Sequence, residues 1–281
     1  LYAPDRSVER YLSAIAAGDI GLALAVAGME SSPDVVPDAD QGLSNIRVVA
    51  VEESPDGVLV QARFTLQGTE QQTVFTLARS ASLWAVFDQW QFTVPPTATI
   101  QAGVGGLDHY TINGFAFEAG SGSVSVLVPG EYTLQAGNSW LASAEATEIL
   151  DQPESTWTLT LEVSPTPALR DEVTTAIAEY LDECATRQVL QPASCPFGVR
   201  VTDRLTDLPV WTISQYPAIS LQATDSEGVW ALQAQGGTAT IEGTLQSLFD
   251  GSLRPYQESV PFSVEGVVTG LDGDAPALRI D

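Results

Sequence analysis

The chain has 281 residues, 44% hydrophobic and 17% charged, with 36 acidic side chains against 11 basic ones and a formal charge of -25. That length and apolar content fit two or three small folded domains and exclude a disordered chain. The acidity excludes nucleic acid and anionic membranes as direct partners of this segment, because both require phosphate-neutralising cations.

All the basic residues are Arg, and Lys is absent. Neutral glycans, cations and basic proteins stay open as partners. No run approaches the roughly 18 apolar residues of a spanning helix. The start lacks the basic and apolar regions of an export signal. A chain opening at Leu1 is therefore read as a processed segment, with an export signal or membrane anchor expected upstream.

Ser7 is expected to cap a first helix, on which Val8, Tyr11, Leu12 and Ile15 share one face at a period near 3.6. Gly18-Asp19 breaks it, and a second short helix follows from Ile20 to Val26, ending at Gly28. After a Pro- and Asp-rich loop come strands at Ile46–Glu52, Val58–Leu66, Gln72–Ala78 and Trp84–Phe92, with turns at Ser54-Pro55-Asp56-Gly57 and near Gly68. Alternation is clearest in Val58, Val60, Ala62, Phe64 and Leu66. Val94-Pro95-Pro96 closes this α+β module, residues 1–95, as a stiff linker.

Residues 96–153 carry no helical period. Short apolar runs at Val124–Val128 and Tyr132–Gln135, set off by Gly120-Ser121-Gly122 and Pro129-Gly130, predict a small all-β module. Residues 154–281 open with a strand, Thr156–Val163. Thr166 then caps a helix with Pro167 at its first position. Leu169, Val173, Ile177, Tyr180, Leu181 and Cys184 cluster on one face of it. Further strands are expected at Val210–Gln215, Ala218–Ala223, Val229–Gln235, Gly237–Ser247 and Glu258–Thr269. The fold class is thus α+β, with two helix-plus-curved-antiparallel-sheet modules flanking a small all-β module.

Cys184 sits late in the predicted helix, and Cys195 follows a Pro-containing loop eleven positions on. With one pairing available, a disulfide is expected, and with it an oxidising, extracytoplasmic compartment. Two reduced, buried thiols are the alternative.

Val8-Glu-Arg-Tyr-Leu-Ser-Ala-Ile-Ala-Ala-Gly-Asp19 with Leu22-Ala-Leu-Ala-Val-Ala27 resembles the opening helices of NTF2-like (cystatin-fold) domains. Trp84-Ala-Val-Phe-Asp88 is similar to that family's late strand. The wider order, with Val128-Pro-Gly-Glu-Tyr-Thr133 in a β module, resembles the extracytoplasmic part of Gram-positive membrane-anchored proteins of the TcaA type. Cys184 to Phe197 resembles a segment of actinobacterial envelope proteins. The resemblance implies a cell-surface or secreted setting, a membrane helix upstream and no catalytic residues.

Candidate chemistry is sparse. His109 is the sole histidine, which excludes a multi-His metal site, and no nucleophile elbow, CxxC pair or HExxH motif occurs. Glu179, Asp182 and Glu183 are neighbours on a helix surface, away from its apolar stripe, and read as a solvated face. Asp34, Asp38 and Asp40, and Asp272 with Asp274, offer hard oxygen ligands without a complete calcium loop. Gly103-Val-Gly-Gly106 lacks the Lys and Ser/Thr of a phosphate loop.

The candidate ligand contacts are Trp84, Trp90 and Phe92, which with Val86 share one side of a strand by period two, beside Asp88. They line a pocket or form plain core. No cofactor or metal is expected. The function expected is non-catalytic binding, sensing or scaffolding at the envelope, with a cell-wall glycan or envelope protein as partner. A carrier of a small apolar ligand or glycan, and a hydrolase using acidic residues, are the alternatives.

Overall fold

The computed structural model describes residues 3–39, 41–80, 89–271, 273 and 275–280. The chain is α+β, with three helices and nineteen strands among the described residues. It divides into two compact units: Leu1–Gly137 with Ser143–Val163 (unit 1), and Asn138–Ala142 with Ser164–Asp281 (unit 2).

Unit 1 begins with α1 (Pro4–Ala16) and α2 (Ile20–Ala27). Ser7 does not cap α1: the helix starts earlier, with Ala3 as N-cap and Pro4 in the first turn. Proline presets the helical φ and lacks the N–H that would otherwise be orphaned there, so no side-chain cap is needed. The second helix matches its signals closely. The Asp19 carboxylate accepts from the Leu22 N–H at 3.0 Å, and Gly28 ends the helix at φ 71°.

Both helices pack on an antiparallel meander of β1 (Ser44–Ser54), β2 (Gly57–Leu66), β3 (Thr69–Ser80) and β4 (Gln89–Phe92). Gln67 and Gly68 form the two-residue link between β2 and β3, both at positive φ, which matches the twist of a hairpin. The alternation read in β2 buries Val60, Ala62, Phe64 and Leu66. Against them lie Val8, Tyr11, Leu12 and Ile15 of α1. The expected strand from Trp84 is described from Gln89 only; Trp84, Val86 and Asp88 lie outside the described residues.

The chain continues as β5 (Thr97–Gly103), β6 (His109–Ile112), β7 (Phe115–Glu118), β8 (Val124–Leu127) and β9 (Gly130–Gln135). Then come β10 (Leu141–Ser143), β11 (Ala146–Leu150), β12 (Thr156–Thr160) and β13 (Val163–Pro165). Of the sheets that result, two lie wholly within unit 1, ordered β11-β9-β6-β7 and β12-β5-β8. The strand read as opening a third module joins unit 1 instead, since β12 runs parallel to β5 from Thr156–Thr99 to Thr160–Gly103. Parallel partners far apart in sequence leave no local mark on either strand.

Within unit 1, the segments 1–95 and 96–153 are joined by specific bonds. Val35 bridges Val126, the Asp34 carboxylate accepts from the Ser125 N–H at 2.7 Å, and the Thr73 hydroxyl donates to the Asp151 carbonyl at 2.7 Å.

Unit 2 contains α3 (Pro167–Ala185) and a six-stranded sheet of β14 (Arg204–Leu205), β15 (Val210–Gln215), β16 (Ala218–Ala223), β17 (Trp230–Gln246), β18 (Leu253–Thr269) and β19 (Ala277–Ile280). Thr166 caps α3 as expected, its hydroxyl oxygen accepting from the Leu169 N–H at 3.3 Å. Leu169, Val173, Ile177, Leu181 and Cys184 form its buried stripe.

The two strands expected at Val229–Gln235 and Gly237–Ser247 are one strand, β17. Gly236 at φ 80° accommodates a bulge between Ala234 and Gly237, so the glycines kink the strand without ending it. At Gly237 a Cβ would overlap the Phe262 ring, so only glycine lets that ring lie across the strand. One edge of β17 pairs in tandem with β16, β15 and β14; the other pairs with β18 along its length.

β18 itself starts at Leu253, five residues earlier than expected. Pro255 does not break it. β19 covers the outer edge of β18 only at residues 266–269. Pro255 and Pro261 stand, with the same strand parity, on the part that has no partner strand among the described residues. Proline is tolerated on an edge, where the missing N–H removes no ladder bond and discourages strand addition. Among the described residues, no helix is long and apolar enough to cross a membrane.

Candidate functional site

Phe92 belongs to the packed core of unit 1. Its ring centroid lies 5.1 Å from that of Tyr11 and 5.6 Å from that of Phe75, and Tyr11 and Phe75 meet edge-on at 5.8 Å. All three rings are buried, so aromatic side chains fill the space between α1 and its sheet at this point. Trp90 is half-buried against the same core, with the Arg79 guanidinium 5.3 Å from its ring centroid. The Tyr11 hydroxyl donates to the Val128 carbonyl, and the Tyr132 hydroxyl donates to the Leu127 carbonyl.

Burial raises the pH at which Tyr11 and Tyr132 ionise, and the neighbouring Asp38 charge adds to the shift at Tyr132. Unfolded tyrosines ionise near pH 10. The unfolded chain therefore releases these protons first, and stability is expected to fall as pH rises above about 10. Absorbance titration should show Tyr11 and Tyr132 ionising only as the chain unfolds. Ionisation of all seven tyrosines near pH 10 with the fold intact would contradict this packing.

The carboxylates named from sequence scatter. Glu179 is exposed, Asp182 accepts from the Tyr216 hydroxyl, and Glu183 pairs with Arg187 at 3.2 Å. Asp40, Asp272 and Asp274 lie outside the described residues. No group of three or more His, Cys, Asp or Glu is placed to hold a metal ion among the described residues. His109 is exposed at the start of β6, opposite Glu118 of β7. Gly103 ends β5, and Gly105 and Gly106 follow at positive φ as a turn.

Cys184 and Cys195 form a disulfide, with Cα atoms 5.8 Å apart. The loop it closes is ordered from within. The Tyr180 hydroxyl donates to the Ser194 carbonyl at 2.6 Å, and the Arg187 guanidinium donates to the Ala193 carbonyl. The loop is also tied to the sheet, as the Trp211 indole N–H donates to the Val189 carbonyl at 2.8 Å. Just after Cys195, Phe197 packs 4.9 Å from Trp211 and 5.4 Å from Phe262, centroid to centroid.

A groove lies elsewhere in unit 2, where the β14–β15 loop meets the distal β17–β18 hairpin. It is open to solvent, has a volume of about 460 Å³ and is lined by Asp207, Leu208, Val210, Glu242, Pro255 and Tyr256, among others. The Asp207 carboxylate accepts from the Thr244 N–H at 2.7 Å and from its hydroxyl at 2.9 Å. These bonds hold its ionisation below the usual carboxylate range, so it is charged at neutral pH. Glu242 accepts from the Gln257 amide at 2.9 Å. Tyr256 is pushed up to about 12 by burial and by its bond to Glu258, so it stays neutral. The groove offers fixed negative charge beside apolar wall.

Sequence reasoning missed this groove. The available signal was Leu248-Phe249 between Ser247 and Asp250-Gly251: two large apolar residues inside turn chemistry, where no core can reach them. Comparison with family models, with curated proteins and with solved structures finds no match to this chain.

Proposed function

We propose that this chain is a non-catalytic, extracytoplasmic segment of a cell-envelope protein that works by binding, sensing or scaffolding. The observation that carries the reading is the Cys184–Cys195 disulfide, because such bonds persist in oxidising compartments. The -25 charge supports a soluble surface domain whose partner is a neutral glycan or an envelope protein.

A finer architecture belongs to the same proposal: two NTF2-like helix-plus-curved-sheet modules about a TcaA-like β module, on the pattern of membrane-anchored actinobacterial envelope proteins. The packing of α1 on β1 and β2, and of α3 on β15 and β16, supports a repeated plan.

Alkylation in native-source cells tests the compartment. The expected result is a protein with no reactive thiol before reduction, digested by protease added to intact cells. Two freely alkylated cysteines in a protease-protected cytosolic pool would overturn it.

A further inference from the structure

We infer that the groove and hairpin tip of unit 2 dock an extended segment of another protein that carries cationic side chains interleaved with apolar ones. The inference rests on the binding reading above and names the partner's chemistry.

The tip is built to be rigid and apolar. The Ser247 N–H donates to the Ser252 carbonyl at 2.9 Å, and the Gly251 N–H to the Ser247 carbonyl at 3.0 Å. The Ser247 hydroxyl oxygen accepts from the Phe249 N–H, and the Asp250 carboxylate takes both the N–H and the hydroxyl of Ser252. With the backbone so committed, Phe249 and Leu248 stand 98% and 73% exposed. A free loop could fold such side chains inward; this one holds them in water. On the same hairpin, Leu253 and Pro255 share one exposed face of β18 by period two, and Pro255 lines the groove with Leu208. Leu253 and Leu208 are 65% and 66% exposed. Several large apolar side chains left in water on one hairpin and its neighbouring loop mark an interaction surface.

Charge selects the occupant. Over residues 203–210 and 242–258 there are five carboxylates (Asp203, Asp207, Glu242, Asp250, Glu258) and two guanidiniums (Arg204, Arg254). Arg254 is already paired with Asp203 at 2.9 Å. Asp207 and Glu242 are held in place by Thr244 and Gln257, so they present oriented negative charge to an incoming cation. A second copy of the chain brings the same -25 charge and is repelled. A basic segment is attracted, and its apolar residues cover Leu208, Leu253 and Phe249. Pro255 and Pro261 guard the open backbone edge, so the partner lies across the face of the hairpin and does not extend the sheet.

The test uses the full chain and three blocked hexapeptides, alternating Arg-Leu, Arg-Ser and Glu-Leu, with binding followed by amide chemical shifts. The expected result is that Arg-Leu binds about tenfold tighter than Arg-Ser, weakens with salt, and shifts Leu208, Thr244, Phe249 and Gln257, while Glu-Leu does not bind. Leu208→Ser with Phe249→Ser, and separately Glu242→Gln, should each weaken Arg-Leu binding about tenfold while leaving thermal unfolding unchanged, since these side chains are surface groups. Equal affinity for Arg-Ser and Arg-Leu, or full affinity in either variant, would overturn the inference. So would Phe249-dependent uptake by phosphatidylcholine vesicles without peptide binding. A correctly oxidised, exported chain that binds no peptide would sink this inference alone; a cytosolic chain with free thiols would sink the compartment reading alone.

Discussion

Tyr11→Ala is expected to destabilise unit 1 by on the order of 5 kcal/mol, enough to leave most molecules unfolded given typical domain stabilities. Two losses combine. The ring is fully buried between Phe75 and Phe92, so its removal forfeits an aromatic transfer term and leaves a cavity that β2, β3 and α1 cannot close together. The hydroxyl also reaches from α1 to the Val128 carbonyl, a bond that fastens the helix layer to the following β segment. Tyr11→Phe separates the two losses. It keeps the ring and drops the bond, and should cost about 1–2 kcal/mol by leaving a buried carbonyl short of a donor. Urea unfolding followed by far-ultraviolet circular dichroism measures both. A Tyr11→Ala variant within 1 kcal/mol of the wild type would show that the ring is not a core element.

Removing the disulfide, by reduction or by Cys184→Ser with Cys195→Ser, should lower the stability of unit 2 by about 3 kcal/mol. The estimate follows from loop closure: an eleven-residue separation is short, and the entropy recovered by the unfolded chain is correspondingly moderate. The native loop does more than close. It delivers Phe197 against Trp211 and Phe262, and it presents the Val189 carbonyl to the Trp211 indole. Loosening it should therefore also disturb the near-ultraviolet signal of the unit's aromatic cluster. The expected urea midpoint shift is about 1–2 M at ordinary denaturant sensitivity. Reduced and oxidised chains that unfold at the same urea concentration would refute a structural role for the bond.

Residues whose neighbours lie close in sequence were readable in advance. The α3 cap at Thr166-Pro167, the Gly28 stop, the Gly68 hairpin and the alternation of β2 all express local backbone geometry, which residue type controls directly. Pairing Cys184 with Cys195 needed only two cysteines and a helix end. Where local signals failed, a non-local term had overridden them. The expected strands break at Gly236, yet the ladder to β18 continues past it, with the Phe262 ring packed over Gly237. The last long strand is expected from Glu258, yet it starts at Leu253 and includes Pro255, because an edge strand asks no N–H of it.

The sites divide in the same way. Sequence periodicity placed Phe92 on one face of a strand, but whether that face met solvent, ligand or core depended on Tyr11 and Phe75, which come from other elements. The groove of unit 2 likewise depended on residues from different elements. Asp207 is held by Thr244, and Glu242 by Gln257, through strand pairing that sequence alone did not specify. Sequence alone determined the acidity, the α+β composition, the caps of α2 and α3 and the cysteine pair, since each follows from residue chemistry or short-range geometry. Only tertiary structure decided that Phe92 is core, that β12 joins unit 1 and that Phe249 stands in water, because burial is a property of neighbours brought together by the whole fold.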